Sequence, residues 1–368
     1  SFVPLSIIAV IGCYAQRAPK EVLGMEGVNI VIGTNDRNKI VDLVESCDIG
    51  DKINFVDDIM KIKNFEDMAI RSLEEKTRVF LKIQEGCNQY CSYCIIPYTR
   101  GPIRSRDRAK IIEEVENFAR QGFKEIVLTG IHVASYGKDL KEKDGLVHLL
   151  KDINNIGGLD RIRLSSLDPT VFTDSFLEQL VHVTKLCDHF HLSLQSGCNE
   201  TLKKMNRKYT ADQYEEIVKN IRRLYPQIAL TTDIIVGFPG ETEEDFQTSY
   251  DFVEKIGFSD IHVFKFSPRE GTAAADFKNQ VDGKVKHIRS EKLIFLGNEL
   301  RNKYYEQFIG SRKTVLFEST SKENKAYVEG YTSNYLKVLV EGGTELVGKI
   351  KKVKLRKLEK GFIVGEII

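Results

Sequence analysis

Between positions 79 and 266, six short runs rich in β-branched residues alternate with amphipathic helical stretches; the runs lie at 79–83, 125–129, 161–165, 190–194, 230–236 and 261–266. Such alternation predicts α/β architecture, because strands buried on both faces need a parallel sheet wrapped by helices. Six βα units predict an incomplete barrel. The first intervening helix shows the pattern: Ile111, Ile112, Val115, Phe118 and Ala119 recur at helical spacing, with Glu113, Glu114 and Glu116 between them. That stripe is expected to pack on the sheet.

Residues 71–306 are assigned to this barrel, and two smaller pieces flank it. Residues 1–70 read as a partial α/β domain, with strands at 7–11 and 30–32 around a helical stretch and a second helix over 38–46. The sequence opens on an apolar strand with no preceding partner, so part of this first domain is expected to lie outside the sequence. Over 307–368, β-rich runs at 313–317, 325–328 and 335–340 are separated by Gly and Asn turns with no long helix. They predict a small β-barrel of about sixty residues.

The 368 residues are 42% hydrophobic, enough for two or three domains with a substantial core. No apolar run approaches the length that spans a bilayer, and residues 1–10 lack the basic start of a signal peptide. A cytoplasmic protein with no membrane partner is expected. The formal charge of +1 gives no global sign of nucleic-acid binding, so any case for RNA rests on local basic patches. Seven cysteines are too few for a disulfide scaffold of this size.

Three of the cysteines form one motif, Cys87-Asn-Gln-Tyr-Cys91-Ser-Tyr-Cys94, directly after the first barrel strand. Active sites of such barrels lie at that end. Three thiolates can hold three irons of a four-iron cube and leave the fourth open to a ligand, whereas electron-carrying clusters normally have four protein ligands. An open iron implies chemistry. Spacing alone also admits a structural zinc completed by His132 or Cys198, or a redox Cys-x-x-Cys pair.

The motif and its surroundings resemble the radical S-adenosylmethionine (SAM) methylthiotransferases. The resemblance runs through GCNQYCSYCIIPYTRGPIRSR at 86–106, LTGIHVASYG at 128–137, RIRLSSLDP at 161–169, HLSLQSG at 191–197, TTDIIVGFPGETEEDF at 231–246 and HVFKFSPREGTAA at 262–274. It implies a radical-SAM barrel in which Cys87, Cys91 and Cys94 hold a 4Fe-4S cluster that binds S-adenosyl-L-methionine. It also implies an auxiliary 4Fe-4S cluster carried by three cysteines of the N-terminal domain. Cys13, in Gly12-Cys13-Tyr14-Ala15-Gln16, matches the third of these, and the other two ligands are absent from the sequence. Cys47, Cys187 and Cys198 fall outside the expected motifs and read as small buried residues.

For SAM, strand ends must supply hydrogen-bond partners. Thr129 and Gly130, Gln195 and Ser196, and Asp233 and Gly237 end or occupy the second, fourth and fifth strands and are the candidates. Gly237 equally reads as a turn residue.

Arg100, Arg104, Arg106 and Arg108 follow the cysteine loop, and Lys203, Lys204, Arg207 and Lys208 form a second basic group; each could face RNA or the protein's own carboxylates. The C-terminal piece carries a denser group: Lys349, Lys351, Lys352, Lys354, Arg356, Lys357 and Lys360. There Val353 and Leu355 alternate with Lys354 and Arg356, so one face is buried while the other meets phosphates. With Gly-Tyr-Thr-Ser-Asn-Tyr at 330–335, this piece resembles the RNA-binding TRAM domain. Tyr331 and Tyr335 read as base-stacking or core residues.

The stretch at 128–137 resembles most the methylthiotransferases that act on N6-threonylcarbamoyladenosine beside the tRNA anticodon, at position 37. The implied reaction takes hydrogen from C2 of the adenine and places a methylthio group there, with a second SAM giving the methyl; it needs an electron donor and a sulfur source. Isopentenyl-adenosine in tRNA and a ribosomal protein remain alternative substrates, and an RNA-binding protein with a structural metal is the non-enzymatic alternative.

Overall fold

A computed structural model describes residues 6–68, 77–322 and 324–368; the boundary expected at 70/71 lies outside the described residues. Three bodies follow one another. The first is a parallel sheet of β1 (Ile8–Ile11), β2 (Val28–Ile32) and β3 (Ile53–Phe55) in the order β1-β2-β3. Every residue of central β2 is buried. Val28 and Val31 pack with Ala15 and Val22 on one face, while Ile30 and Ile32 pack with Cys47 on the other. The helix expected over 38–46 is a 3-10 turn, Arg37–Lys39, leading into Ile40–Glu45.

The second body is the curved wall of β4 (Arg78–Glu85), β6 (Glu125–Gly130), β7 (Arg161–Leu164), β8 (His189–His191), β9 (Ala229–Val236) and β10 (Asp260–Lys265). β4, β6 and β7 pair in parallel, as do β8, β9 and β10. Parallel bridges Ile162–Leu186 and Leu167–Leu192 join the two groups. Among the described residues no pairing connects β10 to β4, so the barrel is open between its edges. The top of β4 instead pairs antiparallel with the two-residue β5 (Arg104–Ser105). The expected strand at 190–194 is shorter, because beyond His191 the chain continues through single bridges.

Burial separates the two faces of the wall. Val79, Leu81 and Ile83 of β4 belong to the outer core, where they meet Ile111, Val115 and Phe118 of helix Arg108–Arg120. This helix is the one expected from its apolar stripe, and the Asp107 carboxylate caps it by accepting from Lys110 N. By alternation, Phe80, Lys82 and Gln84 face the lumen, as do Thr129, Arg163, His191, Asp233 and His262 on the other strands. Helix Gly283–Glu306 closes the outside of β10. A Cβ at its Gly297 would meet Ile261 Cγ1 at 2.5 Å, so glycine permits this close approach.

The third body is a closed barrel of β11 (Arg312–Thr320), β12 (Tyr327–Thr332), β13 (Lys337–Glu341), β14 (Ile350–Glu359) and β15 (Phe362–Ile367). Its core holds Val315, Phe317, Val338, Val353, Leu355 and Ile363, so the basic run is a strand with one buried face, as its alternation predicts.

The third body sits under the wall, at the N-terminal ends of the parallel strands. Arg161 donates to Tyr331 O (2.9 Å) and Thr314 O (2.8 Å), and Arg163 donates to Ser333 O (3.2 Å). Glu125 is buried and accepts from Arg163 Nε at 2.7 Å. Tyr335 stacks between His189 (4.7 Å, 26°) and Tyr331 (4.9 Å, 24°), and the Arg163 guanidinium lies 4.5 Å from its centroid.

Candidate active site

The loop after β4 carries Cys87, Cys91 and Cys94, and backbone bonds fix its course. Cys87 N donates to Gly101 O (3.0 Å), Ser92 N to Met205 O (3.1 Å) and Ala274 N to Ser92 O (2.8 Å). At Gly86, φ is +72° and a Cβ would stand 1.9 Å from Pro102 O, so no other residue fits this turn.

All three thiols are free and partly accessible. Burial pushes Cys94 up to about 11 and raises Cys87 as well. In the metal-free protein both are held as thiols, and a bound cation would supply the charge that ionises them. Hydrogen-bond donors for the resulting sulfurs are in place: Arg207 Nη1 lies 3.4 Å from Cys91 Sγ and Gln89 N lies 3.4 Å from Cys87 Sγ. Three thiols on one loop can hold three irons of a cluster, whereas a single tetrahedral zinc would need a fourth ligand.

A buried network stands behind the loop. Arg207 Nη2 pairs with Asp168 at 3.1 Å, the two side chains being 8% and 5% exposed. Burial alone would raise the Asp168 carboxyl, but the neighbouring His132, the charge of Arg207 and the bonds from Thr170 outweigh it and hold the group well below the usual carboxylate range. His132 Nε2 lies 3.9 Å from Asp168 and 3.4 Å from Gln89 Nε2, while its Nδ1 meets the Ser135 hydroxyl. His132 therefore orients the network and stands beside the cluster loop. Sequence reasoning missed Asp168 and Arg207 in these roles; only the fold brings 91, 168 and 207 together.

The candidate SAM residues divide. Thr129, Gln195 and Asp233 are partly exposed and lie on lumen-facing positions, with Gln195 at φ +69° and its N donating to Asp233 O (2.9 Å). Gly130 lets β6 approach β4, since a Cβ there would lie 2.9 Å from Gln84 O. Ser196 is buried and its hydroxyl accepts from Cys198 N (3.2 Å). Gly237 N donates to Glu241 (2.9 Å), which Arg289 in turn holds at 2.7 Å. The polar groups of Ser196 and Gly237 that these bonds engage are thus used within the protein.

Cys13 begins helix Cys13–Arg17, which packs against helix Ile96–Arg100 of the cluster loop. Arg100 Nε donates to Cys13 Sγ at 3.0 Å and its Nη1 lies 3.5 Å from Glu85. Near it Arg104 Nε and Nη1 and Glu85 Oε1 are buried atoms without a hydrogen-bond partner among the described residues. The lone N-terminal motif cysteine thus borders the loop of the other three. Cys47, Cys187 and Cys198 are buried, as their sequence context suggests.

Arg104 and Arg106, expected to face RNA, are instead buried in this structure. They are 2% and 4% exposed, and Arg106 is held by Glu114 (2.5 Å) and Asp67 (2.7 Å). Arg207 of the second basic group is likewise consumed internally. On β14, by contrast, Lys351 and Lys352 are exposed and Lys354 is half-buried, and among the described residues none has a carboxylate within ion-pair reach. Arg356 is exposed but already bonded to Glu366, Nε to Oε2 3.0 Å.

The sequence matches the Radical SAM superfamily over residues 81–253. It is 40% identical over 371 aligned positions to the threonylcarbamoyladenosine tRNA methylthiotransferase MtaB of Bacillus subtilis (strain 168), covering 99% of this chain and 82% of that protein. It is 39% identical to a tRNA-2-methylthio-N(6)-dimethylallyladenosine synthase of Thermoanaerobacter sp. (strain X514), over 99% of this chain and 78% of the relative. A synthase of the same name from Clostridium botulinum (strain Okra / Type B1) is 37% identical, over 99% and 82%. Among the described residues no helix is long and apolar enough to cross a membrane. Open six-stranded wall, cysteine loop at its C-terminal rim and near full-length identity agree: the chain belongs to the radical SAM methylthiotransferases, enzymes of the 4Fe-4S cluster and S-adenosylmethionine.

Proposed function

We propose that the enzyme adds a methylthio group to C2 of N6-threonylcarbamoyladenosine at position 37 of tRNA. The observation that carries this reading is the 40% identity, spanning 99% of the chain, to a relative named for that base. In this reading Cys87, Cys91 and Cys94 hold the cluster that, with bound SAM, supplies the one-electron chemistry for opening the C2–H bond. Arg207 donates to the Cys91 sulfur, Asp168 keeps Arg207 oriented, and Thr129, Gly130, Gln195, Ser196, Asp233 and Gly237 shape the SAM pocket.

Residues 1–70 form the domain of the auxiliary cluster, with Cys13 as one ligand; 71–306 form the radical SAM domain, and 307–368 the RNA-binding barrel. The contact from Arg100 to Cys13 supports this division, since it joins the N-terminal cysteine to the loop of the other three. Lys354 and Arg356, with Lys352, meet the tRNA backbone. The reaction also requires an electron donor and a sulfur source, and a tRNA substrate puts the enzyme in the cytoplasm.

A second reading, dimethylallyladenosine as substrate, is favoured by the relatives at 37% and 39% identity. Nucleoside mass spectrometry of tRNA from a deletion strain decides between them. Loss of the methylthio form of threonylcarbamoyladenosine supports the first reading; loss of the methylthio dimethylallyl base alone overturns it.

A further inference from the structure

The lower end of the lumen is a cavity of about 370 Å³ between the parallel wall and the C-terminal barrel. His191 and His262 enter it from the wall, Arg301 from the long helix, and Asn334, Tyr335 and Lys337 from the C-terminal barrel. It is a polar space with cationic groups. Lys337 bonds Glu329 on its own barrel (2.9 Å), and Arg301 stands 3.8 Å from Asp260. Two buried nitrogens in the cavity wall, His189 Nδ1 and Arg301 Nε, have no hydrogen-bond partner among the described residues. Arg301 Nε can only donate, and a buried donor left unpaired costs free energy, so the cavity suits something that accepts hydrogen bonds.

The imidazoles are held for this task. The Thr231 hydroxyl meets both His189 Nε2 (3.1 Å) and His191 Nδ1 (3.0 Å), which fixes the His191 ring with Nε2 3.3 Å from Asp233. The His262 ring lies parallel to it at 5.9 Å. One step up the same face of β10, Phe264 is 53% exposed and offers a stacking surface to a purine ring.

We propose that this cavity receives the carboxylate-bearing substituent on N6 of the target adenine, with Arg301 and Lys337 as counter-charges and His262 as a hydrogen-bond donor. The inference rests on the reading of the substrate given above. The C2–H and C6–N6 bonds diverge across the Watson–Crick edge, so a base whose C2 faces the cluster rim can direct its N6 group away from the rim, toward the floor of the lumen. From Gln195 near the rim to His191 at the cavity is four residues, up to about 13 Å of chain, the scale of a purine carrying an amino-acid-sized group. An apolar dimethylallyl group there would cover Arg301 Nε and His189 Nδ1 without offering either a partner. The C-terminal barrel thereby becomes part of the specificity pocket as well as an RNA-binding module.

The test uses the reconstituted enzyme with anticodon stem-loop RNAs carrying threonylcarbamoyladenosine, its methyl ester, or dimethylallyladenosine. Neutralising the carboxylate is expected to lower kcat/KM by about 10- to 100-fold, the worth of a charged hydrogen bond. Lys337→Met and Arg301→Met should each shrink that ratio, and His262→Gln, which keeps a donor, should preserve more of it than His262→Leu. A thermal melt reports that each variant is folded. Equal turnover of acid and ester by the wild type overturns the pocket while leaving the substrate reading intact. Turnover of the dimethylallyl RNA alone overturns the substrate reading itself. His191, Asp233 and His262 also present ligand atoms within 4.8 Å of one another. Stoichiometric zinc or manganese in the wild type, lost in His262→Leu, would make this a cation site and overturn the proposal.

Discussion

Replacing Arg207 by Met tests whether the buried network behind the cysteine loop holds the site together. The substitution keeps the length of the side chain and removes the charge 3.1 Å from Asp168, in a pair with side chains 8% and 5% exposed. Removing one partner of such a pair costs about 3–5 kcal/mol, because the other charge stays buried. Asp168 keeps its bonds from Thr170, Oγ1 at 2.6 Å and N at 3.0 Å, so the lower end is expected, about 3 kcal/mol. Asp168→Asn in the same chain should recover part of this, a coupling of about 2 kcal/mol in a double-mutant cycle.

The pH dependence has a definite sign. The native Asp168 carboxyl lies below its unfolded value of about 3.9. It therefore contributes stability above that pH, and the contribution disappears as pH falls through the native value. Loss of Arg207 raises the native value, so the gap between wild type and variant is full above the variant's native value and narrows as the pH falls through it toward the lower value of the wild type. Urea melts across that range measure both quantities. A gap independent of pH, or additive single substitutions, would refute the argument.

Single replacement of Cys87, Cys91 or Cys94 by Ala should abolish reductive cleavage of SAM, since each strips an iron of its only protein ligand; deoxyadenosine formed at the wild-type rate by any of the three would contradict the cradle. Lys352→Glu with Lys354→Glu should weaken tRNA binding and flatten its log–log salt dependence by about one unit for each phosphate no longer neutralised. An unchanged slope in filter binding would remove β14 from the RNA interface. Arg106→Gln should act oppositely, destabilising the fold by about 3–5 kcal/mol through loss of its buried pairs while leaving the salt slope alone. A variant of normal stability with a flattened slope would return Arg106 to the RNA surface.

What could be read from the sequence follows from what is local. The barrel strands are legible because burial on both faces demands unbroken β-branched runs, as in β9, and the helix over 108–120 because its apolar stripe has one period. β14 is legible as a strand with one buried face, since alternation marks its buried Val353 and Leu355 and leaves Lys351 and Lys352 outside. β3, only three residues long, is too short to show a period. Arg104 and Arg106 mislead because a charge in sequence does not reveal its partner: for Arg106, Asp67 lies before the first wall strand and Glu114 on the next helix. Arg207 looks like one more member of a basic group, and only folding sets it between Cys91 and Asp168. The cavity beneath the lumen is invisible for the same reason, its walls coming from strands, a helix and a barrel far apart in the chain.

The most direct test of the central claim follows the hydrogen at C2. An anticodon stem-loop RNA bearing threonylcarbamoyladenosine deuterated at C2 is given to the reduced, cluster-loaded enzyme with SAM, and both products are analysed by mass spectrometry. The account predicts deuterium in the 5'-deoxyadenosine and a methylthio group on the base. Deoxyadenosine without label beside a methylthiolated base, or no methylthiolated base from an enzyme that cleaves SAM and carries both clusters, would contradict it.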